Sequence, residues 1–355
     1  MHKLFEDLLI SSPNGGGLFF SDGSEVVLID TINTTGIFYQ QDIVLRAVQP
    51  NTLIITKGKY TFVRSGESAD FYDVHDVLWH DGYCYLAATD GNEIIKLSID
   101  GEELQRWVFP GDKDSWHINC LGLWHDRIIF SGFGDFREHR GYKGKSAEAG
   151  FVQDIISGEK LICGLSQPHS LVTVDDRLFL ANSEQMELIE FSSDGKIARS
   201  KQLNKYTRGV CIHENIVYVG LSCSRNIDYK ETAMAELVAL DFETFEELGR
   251  IQIPAKEIYD IRHLSNKSDI VMVLVAIGSM SLSAAELQNQ RLATEINTVL
   301  HTHNEHITEL TTALQAAEEQ NQRLAVELEG ILKSHSWKLI RPLRIMANRL
   351  RGIAK

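Results

Sequence analysis

The chain has 355 residues, of which 43% are hydrophobic and 24% charged, as in ordinary soluble globular proteins. Its net charge of −14 argues against a protein that binds nucleic acid through its whole surface. The five cysteines lie in or beside apolar runs and form no CxxC pair, which predicts buried free thiols and a reducing compartment.

A strand–turn–strand phrase of 13 residues recurs four times between residues 75 and 220. Its copies are HDVLWHDGYCYLA, NCLGLWHDRIIFS, HSLVTVDDRLFLA and RGVCIHENIVYVG, and they begin 44, 50 and 39 residues apart. Two of the continuing segments contain Asp-Gly pairs, at Asp100-Gly101 and Asp194-Gly195, which favour tight hairpins. Strand pairs that repeat every 40–50 residues or so are typical of β-propeller blades.

Weaker units flank the four copies. Segment 43–66 is interpreted as another blade and segment 257–278 as the start of the last one. The N-terminal strands around LFFSDGSEVVLIDT are expected to complete or adjoin that last unit and close the ring. Residues 1–280 are therefore predicted to form an all-β propeller with six blades, five or seven being the alternatives. A β-sandwich or two small barrels would not explain the regular period.

The alignment of the four copies places polar residues in one column, at the start of each innermost strand. These residues are His75, Asn119, His169 and Arg208. Innermost strands line the channel of a propeller, so the column should converge on one axial site. Tyr259 or Asp260 of the last unit lies nearby, and His117, two residues before Asn119, should face the same side.

This column suggests a ligand site, because His and Arg can bind a carboxylate, a phosphate or a sugar ring, and imidazole suits acid–base chemistry. His75, His169 and Arg208 are the candidate catalytic residues. The candidate substrate-binding residues are His117, Asn119, Tyr259 and Asp260. No metal ligand is assigned, since residues 1–280 contain no HxH or HExxH. Solvated structural side chains in a wet channel are the alternative for each histidine alone.

The segment 132–150, GFGDFREHRGYKGKSAEAG, is basic and rich in glycine, and it interrupts a blade. Arg137 and Arg140 in it are candidate contacts to an anionic substrate, and a mobile surface loop is the alternative. No GxSxG, P-loop or strand-linked GxGxxG motif is present, and the residues identify no cofactor.

Residues 281–334 are predicted to form a coiled coil. The apolar seam follows the alternating spacing of three and four with one local stutter, and AAELQNQRLATEINTVL recurs as AAEEQNQRLAVELEGIL after 32 residues. Its seam residues are Leu292, Ile296, Val299, His303, His306, Leu310, Leu314, Ala317, Asn321, Leu324, Leu328 and Ile331. Such a helix is not stable alone, which predicts a homo-oligomer; packing along another protein is the alternative.

Residues 335–355 carry six Lys or Arg and no acid, whereas residues 1–334 carry the remaining −20 of the net charge. Apolar residues alternate with these cations, as in interfacial helices, so this basic tail is predicted to bind an anionic membrane. The candidate membrane residues are Trp337, Lys338, Arg341, Leu343, Arg344, Arg349 and Arg351. A calmodulin-type target or a dimer interface is the competing interpretation.

The tail segment SWKLIRPLR resembles the SWRLTxPLR ending of many bacterial glycosyltransferases and methyltransferases of surface-polysaccharide assembly, with Lys338 in place of Arg and Ile340-Arg341 in place of the Thr-x pair. The first 280 residues, with their DVHDV and QPHSL phrases, are similar to a bacterial propeller family of unknown function. The first resemblance implies a place in surface-polysaccharide assembly, and the second implies a propeller fold.

Together these features predict a cytoplasmic protein, peripheral on the inner face of the cell membrane, in O-antigen (lipopolysaccharide) or capsule biosynthesis. Its propeller channel would bind or process a sugar or glycan, as a glycosyltransferase or other carbohydrate-active enzyme. One alternative is a non-catalytic glycan-binding scaffold that recruits glycosyltransferases through the coiled coil. The other is a metal-dependent lyase or hydrolase. No nucleic-acid partner is expected.

Overall fold

The computed structural model describes residues 4–58, 60–66, 71–223, 234–264, 300–301, 303–304 and 306–334. The chain divides into two compact units, residues 1–286 and 287–355. The described part of the first unit forms six four-stranded antiparallel sheets whose first strands contact one another in turn around a ring. The predicted six-bladed propeller is confirmed.

The first eleven strands belong to three blades. The closing blade takes its three outer strands from the N-terminal segment: β1 (Glu6–Ser12), β2 (Gly17–Asp22) and β3 (Val26–Asp30). Blade 1 consists of β4 (Thr34–Gln40), β5 (Ile43–Val48), β6 (Thr52–Lys57) and β7 (Tyr60–Ser65). Blade 2 consists of β8 (Val74–His80), β9 (Tyr83–Ala88), β10 (Glu93–Leu97) and β11 (Glu103–Val108).

The other thirteen strands complete the ring. Blade 3 consists of β12 (Leu121–Trp124), β13 (Arg127–Gly132), β14 (Gly150–Asp154) and β15 (Lys160–Leu165). Blade 4 consists of β16 (Pro168–Val174), β17 (Arg177–Asn182), β18 (Glu187–Phe191) and β19 (Ile197–Gln202), with a short 3-10 helix at Ser183–Gln185. Blade 5 consists of β20 (Tyr206–His213), β21 (Ile216–Ser222), β22 (Ala235–Asp241) and β23 (Glu247–Ile253), and β24 (Ile261–His263) is the innermost strand of the closing blade.

The ring closes by pairing the two ends of the propeller. β24 pairs antiparallel with β1, so that Leu8 lies opposite His263 and Ile10 opposite Ile261. The sequence predicted this closure, but the prediction for segment 43–66 omitted β4, the innermost strand of that blade. The apolar run at residues 270–278, which the sequence predicts to belong to the last unit, lies outside the described residues.

The core of the propeller lies between the blades. Each pair of neighbouring blades encloses its own apolar cluster, because the middle strands bury the side chains of both of their faces. Leu45 and Leu86 meet between blades 1 and 2, for example, and Phe179 and Val219 meet between blades 4 and 5. The near-continuous burial of β9 and β17 results from this packing.

A second set of links joins each blade to the next. A buried Ser or Thr hydroxyl donates a hydrogen bond to a backbone carbonyl at the start of the neighbouring blade, once per blade around the ring. The bonds are Ser11–Thr35 (2.5 Å), Thr35–Val74 (2.9 Å), Thr89–Ile118 (2.5 Å), Ser131–Pro168 (3.2 Å), Ser183–Thr207 (2.5 Å) and Ser222–Ile258 (3.1 Å). These bonds fix how deeply each innermost strand sits in the channel.

The second unit contains a helix, α1, over residues 300–301, 303–304 and 306–333. The helix was predicted and is confirmed; its assembly into a coiled coil stays a prediction. Its seam residues are open to solvent in the single chain, with Leu310 58% and Leu324 53% exposed. In the part of the chain that the structure describes, no helix combines the length and apolarity needed to cross a bilayer.

The cysteines depart from the expectation of uniformly buried thiols. Cys84, Cys120 and Cys211 are buried, as predicted, and all five cysteines are unpaired. Cys163 is exposed on β15, the outermost strand of blade 3, and Cys223 is half-buried. The outermost strand of a blade has only one covered face, so an apolar run there does not imply burial.

Candidate functional site

A cavity of about 700 Å³ opens at one end of the channel, and we call it the wide cavity. Every blade contributes at least one residue to its lining. Taken around the ring, these are Thr35, His75, His117, His169, Arg208 and Tyr259. Three of the four residues of the predicted column, His75, His169 and Arg208, therefore line one cavity, because corresponding positions of the repeat occupy corresponding places around the axis.

Three predicted residues lie elsewhere. Asn119 is fully buried behind the lining of the wide cavity, and Arg137 is exposed outside it. Asp260 lines a second, much smaller cavity, because consecutive residues of a strand face opposite ways and Tyr259 takes the place in the wide cavity. The predicted membrane residues of the tail lie outside the described residues.

A second column of polar residues lines the wide cavity two positions before the first. Its members are Asp73, His117, Gln167, Tyr206 and Glu257. Side chains two residues apart in an extended segment share a face, so this spacing is the signal that would have found them. Of these five residues, only His117 is predicted from the sequence on this spacing. Even there the backbone departs from a strand, with φ of +48° before β12 begins.

His75 is surrounded by oxygen acceptors. Its Nε2 lies 3.3 Å from a carboxylate oxygen of Asp73, and its Nδ1 lies 3.4 Å from Oδ1 of Asn119. Burial alone would lower the pKa of His75, but the Asp73 carboxylate outweighs it and the net pKa is raised. Both ring nitrogens face acceptors, so the protein uses both N–H groups of the ring when it is protonated.

His117 has a different environment. Its Nδ1 lies 2.7 Å from Oδ1 of the buried Asp114, which fixes the ring and the tautomer. Burial lowers the pKa of His117 despite the opposing effect of Asp114. Among the described residues no hydrogen bond to Nε2 of His117 is found, so this nitrogen keeps a lone pair beside the cavity. The rings of His75 and His117 meet edge to face, with their centroids 5.0 Å apart.

Asn119 forms the floor beneath the two columns. It accepts from the hydroxyl of Tyr259, and its Nδ2 donates to Nε2 of His169 at 2.8 Å. Nδ1 of His169 lies 2.7 Å from the hydroxyl of Ser183. Burial, followed by the nearby Arg208 charge, lowers the pKa of His169 well below its usual value. Both ring nitrogens of His169 are thus occupied by the protein, which makes this histidine a neutral structural part of the site.

Arg208 is held against one wall. Its guanidinium donates to Glu257 at 2.9 Å and lies over the ring of Tyr259, 4.5 Å from the centroid. A chain of hydrogen bonds covers the neighbouring wall. It runs from Tyr206 to Gln167 (2.6 Å), from Gln167 to Ser146 (2.8 Å) and from Ser146 to Glu184 (2.9 Å).

The long segment between β13 and β14 contributes directly to the wide cavity. Arg140, Tyr142 and Lys143 of this segment all line it. Asp114 anchors the segment, accepting from Nε of Arg140 at 2.7 Å and from the hydroxyl of Tyr142 at 3.0 Å. The carboxylate that orients His117 therefore also holds the segment over the site.

The small cavity has a volume of about 20 Å³, room for a single water molecule, and lies on the other side of Tyr259. Its two carboxylates bind backbone N–H groups of the next blade. Asp76 accepts from Leu121 at 2.8 Å, and Asp260 accepts from Ile37 at 3.1 Å. Burial and the Asp260 charge raise the pKa of Asp76 to about 7.

The charges of the wide cavity are almost all paired within the protein. His75 faces Asp73, Arg208 faces Glu257, and Arg140 faces Asp114. Across the described residues, no three His, Cys, Asp or Glu side chains are arranged to hold a metal ion. The site offers hydrogen-bond donors and acceptors in fixed positions, paired positive and negative charges, aromatic walls and an oriented imidazole. This combination suits a polar ligand without net charge.

The family model for a domain of unknown function, DUF4915, matches residues 50–273. A crystal structure of a protein of unknown function from Bacteroides caccae is similar in fold, with 12% identity and a TM-score of 0.55 over 73% of this chain and 98% of that chain. A chain in the crystal structure of a nidogen/laminin complex is similar with 10% identity and a TM-score of 0.53, over 72% and 96%. No curated protein matches the sequence. At these identities the two structures support the fold alone.

Proposed function

We propose that this chain, which belongs to the DUF4915 family, binds a neutral sugar of a glycan in the wide cavity of its propeller. We also propose that the protein takes part in bacterial surface-polysaccharide biosynthesis. The pairing of the cavity charges carries the first half of this proposal. The SWKLIRPLR segment of the tail, which resembles endings found in that biosynthesis, supports the second half.

A sugar without net charge fits this lining better than an anion does. An anion would need an excess of free donors, whereas the guanidinium of Arg208 already shares a hydrogen bond with Glu257. Paired guanidinium and carboxylate groups still have donor and acceptor capacity left over, and hydroxyl groups can use both. Lys143 has no ion-pair partner among the described residues, but it is exposed at the rim.

The aromatic walls supply the apolar part of recognition. Phe133, Tyr142, Tyr206 and Tyr259 all line the wide cavity, and the three tyrosines are less than a tenth exposed. Rigid aromatic surfaces combined with a few fixed polar groups are the usual construction of a small-molecule site. A volume of about 700 Å³ accommodates one or two sugar rings.

Binding of the full chain to an array of immobilised neutral and acidic glycans tests the sugar proposal. We expect a neutral glycan to be retained, and Glu257→Gln to weaken binding because Arg208 loses its paired charge. The matched control is Glu159→Gln, which changes an exposed acid of the same type on blade 3. Retention of acidic glycans alone, or of none, contradicts the proposal.

We further propose that the chain self-associates through α1 and its preceding segment. The apolar seam of α1 is about half exposed in the single chain, and burying it at roughly 25 cal/mol per Å² would stabilise an oligomer. Light scattering of the full chain and of a variant lacking residues 281–334 tests this proposal. An oligomer that becomes a monomer on deletion supports it, and a full-length monomer contradicts it.

The cytoplasmic, membrane-peripheral placement is a proposal that rests on the tail sequence. Six cations without an acid favour an anionic surface by about 1 kcal/mol each. Sedimentation with phosphatidylglycerol vesicles should pull down the full chain but not a chain ending at residue 334, and phosphatidylcholine vesicles should retain neither. Equal sedimentation of both chains would show that the tail has another role.

A further inference from the structure

Nε2 of His117 is an acceptor that faces the wide cavity. Nδ1 of the same ring lies 2.7 Å from Oδ1 of Asp114, whose side chain is 1% exposed, so the Nδ1 proton points away from the cavity. Among the described residues, the buried side-chain polar atoms without a hydrogen bond belong to Trp116, Arg208 and His263. Nε2 of His117 has no hydrogen bond either, but it is not one of these buried atoms, so it is open to the cavity that His117 lines.

Three rings hold the imidazole of His117 in place. The ring centroid of Phe133 lies 4.3 Å from it, that of Tyr142 lies 4.6 Å away, and His75 meets it edge to face at 5.0 Å. Tyr142 is itself anchored, because its hydroxyl donates to Asp114 at 3.0 Å. The position and direction of Nε2 are therefore set before a ligand arrives, which lowers the entropic cost of a contact to it.

We propose that neutral His117 accepts a hydrogen bond at Nε2 from a hydroxyl group of the bound sugar, and that this contact makes sugar binding depend on pH. The inference rests on the proposed function, because it requires a sugar in the wide cavity. Asp114 is a positioning residue, since its carboxylate keeps the proton on Nδ1 and thereby leaves the lone pair on Nε2. His117 then selects a ligand that has a hydroxyl donor at this point of the cavity.

The charged groups around His117 favour its neutral form near neutral pH. Burial lowers the pKa of His117, and the neighbouring His75 adds to this effect, whereas Asp114 and Asp73 oppose it. The other carboxylate oxygen of Asp114 accepts from Nε of Arg140 at 2.7 Å, which balances part of its charge. The net pKa of His117 is lowered, so the lone pair of Nε2 is present at neutral pH and is lost only in acid.

Protonation of His117 should weaken sugar binding for two reasons. It removes the lone pair of Nε2, and it puts a charge on the ring edge that the sugar would cover, where the loss of water costs more for a charged group. The affinity should therefore be constant around neutral pH and fall about tenfold for each pH unit below the pKa of His117. In that acidic range, each sugar that binds should displace about one proton.

Calorimetric titration of the full chain between about pH 5 and pH 8 tests this linkage, with D-glucose, D-galactose and D-mannose as probes. Titrations at acidic pH in two buffers of different ionisation enthalpy count the protons that binding releases. For a sugar that binds at neutral pH, we expect weaker binding in acid and release of a proton. An affinity that is equal at both ends of the range, without proton release, overturns the inference.

Two variants assign the linkage to His117. His117→Phe keeps a ring between Phe133 and Tyr142 but removes the acceptor, so the affinity at neutral pH should fall about tenfold and lose its dependence on pH. Asp114→Asn removes a group that raises the pKa of His117, so the loss of affinity should begin at lower pH, a shift that a merely structural role would not produce. His125→Ala, on an exposed turn of blade 3, should change neither the affinity nor its pH dependence.

The outcomes separate this inference from the proposed function. Sugar binding without proton release overturns the inference and leaves sugar binding intact, as does proton release that persists in a folded His117→Phe variant. Failure of all three sugars to bind at any pH overturns both. If His117→Phe does not fold, the Asp114→Asn profile decides, since an unshifted profile in the folded variant overturns the inference.

Monodeoxy derivatives of the sugar that binds identify the hydroxyl. Removal of the hydroxyl that contacts Nε2 should weaken binding to the wild type but have no effect on the affinity of His117→Phe, because that variant has already lost the contact. If every derivative weakens binding by the same factor in both proteins, no hydroxyl contacts His117 and the inference fails.

Discussion

The two cavities of the channel are built from the same repeat but do different things. In the small cavity, the carboxylates of Asp76 and Asp260 accept hydrogen bonds from backbone N–H groups of the next blade. In the wide cavity, the charged groups pair with one another and keep surface toward a space of about 700 Å³. A polar residue in a channel is therefore best judged by how much of its hydrogen-bonding capacity the protein already uses.

The histidines show the same contrast within the wide cavity. His169 has both ring nitrogens occupied, by Asn119 and Ser183, and it supports the site. His117 has one nitrogen fixed by Asp114 and one unused by the described residues. The sequence does not distinguish these two residues, and only their hydrogen-bond partners show which imidazole has a ring nitrogen left for a ligand.

The largest expected effect on stability falls at the small cavity. Asp260→Ala removes the acceptor of two buried backbone N–H groups, of Ile37 and Ile261, and the partner of Arg262. We expect a loss of about 3 kcal/mol or more in the free energy of unfolding, since each unsatisfied buried group costs about 1–3 kcal/mol. Urea unfolding measures it, with the exposed Asp175→Ala as the control.

If Asp260→Ala unfolds no more readily than Asp175→Ala, the carboxylates of the small cavity do not act as links between blades. These carboxylates would then contribute no more to stability than an exposed carboxylate does.

The Ser and Thr hydroxyls that link each blade to the next should have an intermediate effect on stability. Ser222→Ala deletes a donor to the carbonyl of Ile258 and an acceptor for its N–H group. We expect the free energy of unfolding to fall by about 1–3 kcal/mol. Ser193→Ala, which truncates an exposed serine, should change it by less than about 0.5 kcal/mol. Equal urea midpoints for the two variants would contradict the role of the ring.

Asp76 should make stability depend on pH in an unusual direction. Its pKa is raised to about 7 in the folded protein, mainly by burial and by Asp260. The folded state therefore binds more protons than the unfolded state between about pH 4 and 7, so this group's contribution to stability falls as the pH rises through that window. Urea unfolding across the window, compared between the wild type and Asp76→Asn, measures the contribution.

Subtracting the Asp76→Asn profile removes the effect of the other titrating groups, which include His75 and Asp73. A difference that is flat across the window, or that grows in favour of the wild type as the pH rises, would contradict this assignment.

The smallest expected effect lies at the rim of the wide cavity. Lys143 is exposed and has no ion-pair partner among the described residues. Lys143→Ala should weaken binding of a neutral sugar by less than about 1 kcal/mol, because an exposed charge contributes little. Calorimetric titration measures it against Lys145→Ala, an exposed lysine of the same segment. A large loss specific to Lys143→Ala would indicate an anionic ligand.

Much of the propeller was readable from sequence because its period is regular. The 13-residue phrase predicted the strand pairs, and its first position predicted that His75, His169 and Arg208 would share a cavity. β4 was not found, since TTGIFYQ has no clear alternation and no copy of the phrase. The Ser and Thr hydroxyls that link the blades were not predicted either. Ser and Thr are common at strand ends, and only the carbonyl that each one contacts in the fold shows its role.

The chemistry of the site was much less predictable. Asp73 and Glu257 follow from the spacing of two residues, but the ion pair of Glu257 joins it to Arg208, which is 49 residues away, and no sequence spacing predicts that contact. Asp114 orients His117 from a turn with φ of +48° at both residues, outside any strand pattern. Such positions depend on the packing of the blade, and so do the protonation states of the histidines.

The charge of the bound ligand tests the central claim most directly. Calorimetric titration of the full chain with matched pairs that differ only at C6 isolates this variable: D-glucose and D-glucuronate, D-galactose and D-galacturonate, D-mannose and D-mannuronate. The paired charges of the wide cavity predict that a neutral member binds, that its uronate binds about tenfold more weakly or worse, about 1.4 kcal/mol, and that added salt leaves the neutral affinity unchanged. Tighter binding of the uronates, or no binding of any neutral member, would contradict the account.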